Sequence, residues 1–149
     1  MLSRITLPLL VAAVLVFACG PRTPTAAVTA RPSSGAGAAV TSRVSVDTAG
    51  GAVRFAIAVT NDTPKRVELN FPDGRTHEFV VLDATGREVW RWSEGRLFTQ
   101  AVRNRLLDVH DAVVYHDAWP GAAPGDYTLV AELRSVNYPL QQRLSFALR

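Results

Sequence analysis

"AVRFAIAVTNDTPKRVELNFPDG", Ala52 to Gly74, is the stretch on which the fold turns. Val53, Phe55, Ile57 and Val59 fall on one side of an extended chain, and Ala52, Arg54, Ala56 and Ala58 on the other. That two-residue period belongs to a strand with one buried face. Asn61-Asp62-Thr63-Pro64 then breaks it, since Asn and Asp side chains bond the local backbone and Pro64 fixes its own φ. The alternation resumes at Val67, Leu69 and Phe71 and stops at Pro72-Asp73-Gly74, a second turn signal.

The same grammar extends both ways. Upstream, "SRVSVD" alternates Val44 and Val46 with polar neighbours, and Asp47 to Gly51 closes a hairpin onto Ala52. Downstream come "RTHEFVVLD", the turn "ATG" and "REVWRWS". Further on are "DAVVYHDAW", "GDYTLVAEL" and "QQRLSFAL", separated by "PGAAPG" (Pro120 to Gly125) and "SVNYP". One helical turn is expected near "FTQAVRNRLL" (Phe98 to Leu107), with Ser93-Glu94-Gly95 turning into a strand at Phe98. The pattern predicts an all-β domain over residues 40–149, an immunoglobulin-like antiparallel β-sandwich of about eight strands.

The N-terminus has a different character. Arg4 precedes the apolar run Ile5 to Phe17, which as a helix would span roughly 20 Å, short of a bilayer core but right for a signal peptide. Val16-Phe17-Ala18-Cys19 resembles the lipobox of bacterial lipoproteins, which implies cleavage after Ala18 and acylation of the Cys19 thiol with palmitate-type chains. Residues 1–18 are therefore expected to be a lipoprotein signal peptide. Residues 19–39, rich in Pro, Thr, Ala, Ser and Gly, read as a flexible tether, because nothing in them can bury enough apolar surface to offset ordering. The expected location is the cell envelope, anchored to a membrane and facing the periplasm or the exterior. Cys19 is the only cysteine, so the chain has no internal disulfide and no multi-cysteine metal site.

Catalytic constellations are weak. The net charge of +3 comes from scattered basic residues without a stripe, which argues against a nucleic-acid partner. His110 and His116 in one strand would stand about 20 Å apart, too far to share a metal. Ser93 lies in "WSEG", not in a nucleophile elbow, and Glu88 with Glu94 reads as a solvated rim around a turn. No glycine-rich phosphate loop opens a helix. Asn61-Asp62-Thr63 matches a glycosylation acceptor only formally. No enzyme activity, cofactor or metal is expected. The tryptophan pair of "VWRWSEGRLFTQ" (Val89 to Gln100) would place Trp90 and Trp92 on one face, as core, and Arg91 on the wetter one.

One resemblance sharpens this reading. Val59-Thr60-Asn61, the strand to Phe71, Asp73-Gly74, His77-Glu78-Phe79, Gly86, Val89 to Ser93, Gly95 and Phe98-Thr99-Gln100 follow one another as in the BsuPI-type intracellular proteinase inhibitor domain. Leu106, Tyr115, Trp119, Gly125 and Tyr127 fit that family's closing positions. The chain departs from the family at Asp108 to Asp111, where a Pro-Gly-Glu turn is usual, and at His77, where the family carries tyrosine. The resemblance implies a non-covalent inhibitor that occupies a protease cleft, through an extended loop or by blocking access. The implied partner is a serine protease outside the cytoplasm, or another envelope protein. Trp90, Trp92, Phe98, Trp119 and Tyr127 read as the family's structural signature. Ser93, Glu94, Gly95 and Arg96, together with Gly121 and Gly125 of the "PGAAPG" loop, are the candidate contact loops. The alternative is a non-inhibitory protein-binding or envelope-assembly module on the same sandwich.

The lipobox carries its own test. Cys19→Ala is expected to abolish acyl labelling and to shift the protein from the membrane to the soluble fraction; unchanged fractionation and processing would refute the anchor.

Overall fold

Each alternating segment becomes a strand whose apolar face points inward. The structure is a computed structural model that describes residues 28–29, 40–49 and 51–149; residues 1–18, read as a signal peptide, Cys19 and most of the residues read as a tether lie outside the described residues. The strands are β1 (Val28–Thr29), β2 (Val40–Asp47), β3 (Ala52–Asn61), β4 (Val67–Phe71) and β5 (His77–Asp83). They continue as β6 (Glu88–Arg91), β7 (Arg103–Leu107), β8 (Ala112–Pro120), β9 (Gly125–Leu133) and β10 (Leu140–Leu148).

All pairings are antiparallel. One sheet runs β1-β2-β3-β8, the facing sheet runs β10-β9-β5-β6, and β4 and β7 form a ribbon of their own. The chain is thus an all-β sandwich, with no helix among the described residues. Phe55 of β3 marks the centre of the core. Its ring lies 5.9 Å from Phe79 and Phe146 of the facing sheet and 5.6 Å from Trp90. The ribbon adds Val67, Leu69, Phe71 and Leu107 to that core.

The structure corrects several expectations. "FTQAVRNRLL" holds no helical turn: Phe98 to Gln100 is irregular, and Arg103–Leu107 is the strand β7, paired from Val67↔Leu107 to Phe71↔Arg103. Only Leu107 of that strand is buried, so its sequence lacks the two-residue period that would reveal it. The residue of the Leu106-Leu107 pair that fills the core is Leu107 (0% exposed), whereas Leu106 is 55% exposed. Within the segment read as a tether, Val28–Thr29 pairs with Val46 and Ser45 as a short edge strand. Backbone hydrogen bonding along the open edge of β2 stabilises such a pair without any large apolar residue.

Polar side chains staple the elements where ladders cannot reach. Asn61, at the end of β3, is fully buried. Its Nδ2 donates to the carbonyls of Lys65 (2.8 Å), Asp108 (3.0 Å) and Leu107 (3.1 Å), and its Oδ1 accepts from the Thr63 N–H (3.0 Å). Its own backbone bonds Asp111 and His110, both at 2.9 Å, and His110 takes a positive φ of 61° to fit. The Asp108 to Asp111 turn is therefore shaped by Asn61. A side chain buried and bonded in this way is no glycosylation acceptor.

Asn137 does the same for β4, donating to Glu68 O (2.7 Å) and accepting from Asn70 N (3.0 Å). Gln142 of β10 crosses to β2, donating to Ser42 O at 2.6 Å and Ser42 Oγ at 2.8 Å.

Asn61→Ala leaves several buried backbone groups without partners at once. We expect a loss of roughly 3 kcal/mol of stability, since each orphaned buried group costs about 1–3 kcal/mol and neighbours relax in part. Guanidinium denaturation checks this, and a loss below about 1 kcal/mol would contradict the staple.

Candidate functional site

Trp90 of β6 and Trp92 just beyond it both turn toward the core, since the pairing with β5 continues through Trp92 and alternate residues face the same way. Trp90 packs 5.6 Å from Phe55 and 6.4 Å from Trp119. Trp92 N–H donates to Phe79 O at 2.9 Å, carrying the β5 pairing one residue beyond β6. The buried Trp92 ring lies 4.0 Å from His77 and 5.3 Å from Phe98, and its indole N–H donates to the Asp117 carboxylate of β8. Trp119 meets Tyr127 edge-on at 5.1 Å. Trp92 and Trp119 belong to the core cluster, and Trp90, Phe98 and Tyr127 pack against it.

Asp117 of β8 is the polar centre of this region. Besides the indole it holds Arg96, whose guanidinium lies 2.9 Å away and sits 4.9 Å above the Trp92 ring. Paired with an acid and stacked on an indole, that guanidinium is held in one place.

Arg91 leaves on the opposite face, as its strand position predicts, toward a second acid that is fully buried. Glu78 is 1% exposed and surrounded by donors. Arg75 pairs with it, Ser93 Oγ donates at 2.5 Å and Ser93 N at 3.2 Å, Phe79 N donates at 3.1 Å, and Arg91 lies 3.5 Å away. A buried carboxylate is tolerated when it is paired and bonded in this way. Arg91 also grips Glu88 with two bonds, at 2.8 and 2.5 Å, and that hydrogen bond holds the Glu88 carboxyl below its usual range. Glu88 is thus an ionised partner of Arg91, unsuited to act as a general acid at neutral pH.

The first candidate loop is only partly a free surface. Glu94 N–H bonds Arg91 O and Arg96 N–H bonds Ser93 O, both at 3.2 Å, and Gly95 takes φ 70°. Ser93 faces inward to Glu78, and Arg96 is held by Asp117 and Trp92, so Glu94 and Gly95 form the exposed crest. Beyond Arg96 the chain stays outside regular structure but is fixed again at once. Phe98 packs on Trp92, and Gly74 N–H donates to Thr99 O at 2.8 Å. A Cβ on Gly74 would lie 2.7 Å from Thr99 Oγ1 and 3.1 Å from Thr99 N, so any other residue would force Thr99 to shift. Between the two fixed points stands Leu97, 101% exposed. The sequence reading ended its loop one residue short of it. No local signal marks it, because its exposure depends on Asp117 and Trp92 holding Arg96 and Phe98.

The second loop, Pro120 to Gly125, joins β8 to β9. Gly121 has φ 69°, and the Tyr127 hydroxyl donates to Ala123 O at 3.0 Å across the space that a side chain on Gly125 would enter. No hydrogen bond, ion pair or ring contact joins the two loops among the described residues. His116 is exposed on β8, His110 serves the Asn61 turn, and no group of three His, Cys, Asp or Glu converges to hold a metal among the described residues.

His77 occupies the strand position where the resemblance would have tyrosine. Its ring stacks 4.8 Å from Tyr115 as well as 4.0 Å from Trp92, with Nδ1 3.1 Å from Thr76 Oγ1. Burial pushes its pKa from 6.5 down to about 4, with Arg96 and His116 acting the same way and Asp117 opposing.

Compared with known protein families, residues 40–138 match the family model described as "BsuPI: Intracellular proteinase inhibitor". No curated protein matches the chain.

His77 makes stability depend on pH. The folded ring stays neutral while the unfolded ring protonates near 6.5, so its contribution is complete above pH 6.5 and is lost as pH falls toward 4. The loss approaches roughly 3 kcal/mol at the acid end. His77→Phe is expected to remove this part of the dependence. Denaturant titrations of both proteins from pH 7.5 to pH 4 check it, and parallel curves would refute it.

Proposed function

The chain belongs to the BsuPI intracellular proteinase inhibitor family, and on that footing we propose that it inhibits a serine protease non-covalently, outside the cytoplasm. In this reading the signal peptide exports the chain, lipid on Cys19 holds it at a membrane, and residues 20–39 space the sandwich from the lipid surface. Two or three acyl chains suffice for firm attachment, each buried methylene contributing about 0.8 kcal/mol.

The observation that supports inhibition is the segment from Ser93 to Thr99, which exposes Glu94, Gly95 and Leu97 and is tied to the core at both ends. The Asp117 and Trp92 contacts hold Arg96, and Gly74 holds Thr99. A protease cleft binds extended chain by adding main-chain hydrogen bonds to its own strands. A flexible loop must lose conformational freedom to bind, whereas a loop already held has little left to lose. A scaffold of this kind blocks a cleft without any chemistry of its own.

The test is direct titration. The protein extracted in detergent is expected to inhibit at least one member of a panel of subtilisin-, chymotrypsin- and trypsin-like proteases, with a constant of about 1 μM or tighter. Activity should return on dilution, as it does for a reversible complex. If no protease on such a panel is inhibited while the protein captures an envelope component, the inhibitor reading gives way to the binding-module alternative.

A further inference from the structure

A lone exposed leucine is ordinary on a protein surface. Leu97 differs in that both of its neighbours are fixed. On one side the Arg96 guanidinium is 2.9 Å from Asp117 and 4.9 Å above the Trp92 ring. On the other, the Phe98 ring is 5.3 Å from the same indole, and Thr99 O accepts from Gly74 N–H at 2.8 Å, a contact that leaves no room for a side chain on Gly74. One buried indole thus anchors the residue before Leu97 and the residue after it. Arg96 lies across the indole with its outer half exposed, Phe98 packs on the same ring, Leu97 projects outward at full exposure, and no hydrogen bond to its backbone N–H or C=O occurs among the described residues.

These are features an endoprotease reads in a substrate: a backbone outside any ladder with unpaired polar groups, and one side chain presented away from the scaffold. We infer that Leu97 is the side chain the target protease takes into its primary specificity pocket, which makes the target an enzyme with an apolar pocket sized for a large aliphatic group. For its partner this inference rests on the inhibitor reading above. Arg96 is the competing candidate, and it would suit a pocket with an acid at its base. Its guanidinium, however, would have to abandon Asp117 and Trp92 to enter one, releasing the contacts that hold the loop. Leu97 enters a pocket without breaking anything, and its burial there adds the apolar contact that its free state lacks.

The test compares the protein with Leu97→Asp and Leu97→Arg against proteases with apolar and with acidic pockets. Both substitutions lie at a fully exposed position, and unchanged melting temperatures confirm that the scaffold is intact. Leu97→Asp is expected to weaken inhibition of apolar-pocket enzymes by roughly 100-fold or more, the scale of a central anchor lost from an interface. Leu97→Arg should shift inhibition toward trypsin-like enzymes. On prolonged incubation, mass spectrometry should find the first cleavage after residue 97. Inhibition by Leu97→Asp equal to that of the parent overturns this inference and leaves the inhibitor reading standing. A parent protein that inhibits nothing yet is first cut after Leu97 overturns the inhibitor reading and upholds the assignment of Leu97. Absence of both inhibition and cleavage there overturns both.

Discussion

The contact between the Trp92 indole N–H and the Asp117 carboxylate, beside the packing of Trp90 on Trp119, ties together two strands that share no ladder. β6 is the last strand of one sheet and β8 the last strand of the other, on the same side of the sandwich. Edge strands leave one row of backbone groups unpaired, so a sandwich must close its flanks by side chains or loops. Trp92 does this while filling the core, which aromatic residues with a polar tip do well. The opposite flank is closed by Gln142 of β10 reaching Ser42 of β2. With both flanks tied, Phe55 and its neighbours stay enclosed. The Asp117 carboxylate that receives the indole also receives Arg96, so the closure of the fold and the hold on the exposed loop share one acid.

The interior polar residues follow a common logic. Asn61, Glu78, Asn137 and Gln142 each join segments that no strand ladder connects: two turns, a strand and the crest of a loop, an edge and its flanking loop, and the two facing sheets. Buried polar groups stabilise when their bonding capacity is met and cost heavily when a partner is lost. Irregular backbone in this domain is therefore specified by side chains. That explains why the Asp108 to Asp111 turn, although its sequence departs from the family pattern, still docks: Asn61 bonds its backbone, and backbone is common to every sequence.

Rigid scaffold and exposed loop divide the work between them. Arg91 and Arg96 are each paired with an acid and Glu78 is bonded to Ser93, which leaves Glu94, Gly95 and Leu97 as the outward elements of the first loop. The family membership speaks for a protease as partner, and the physical character of the loop is suited to a cleft that binds extended chain. The export signal and the acylated cysteine, as proposed, would place that encounter at a membrane surface.

Much of this was legible in the amino-acid sequence, because a strand with one buried face writes its period locally. The alternation of Val53, Phe55, Ile57 and Val59 and the turn at Asn61 to Pro64 announce β3 and its end, and the inward facing of Trp90 and Trp92 follows from their spacing. β7 stayed hidden because only Leu107 is buried, and a single apolar contact has no period. Leu97 lay beside the proposed loop and outside it, since its exposure depends on what holds its neighbours. The reach of Asn61 to Leu107, of Trp92 to Asp117 and of Gln142 to Ser42 spans 46, 25 and 100 residues of chain. The order of strands, turns and core residues is a property of neighbouring residues and could be read from the sequence alone. Which acid receives which donor, and which side chain is left facing outward, depends on distant segments brought together, and only the tertiary structure decided it.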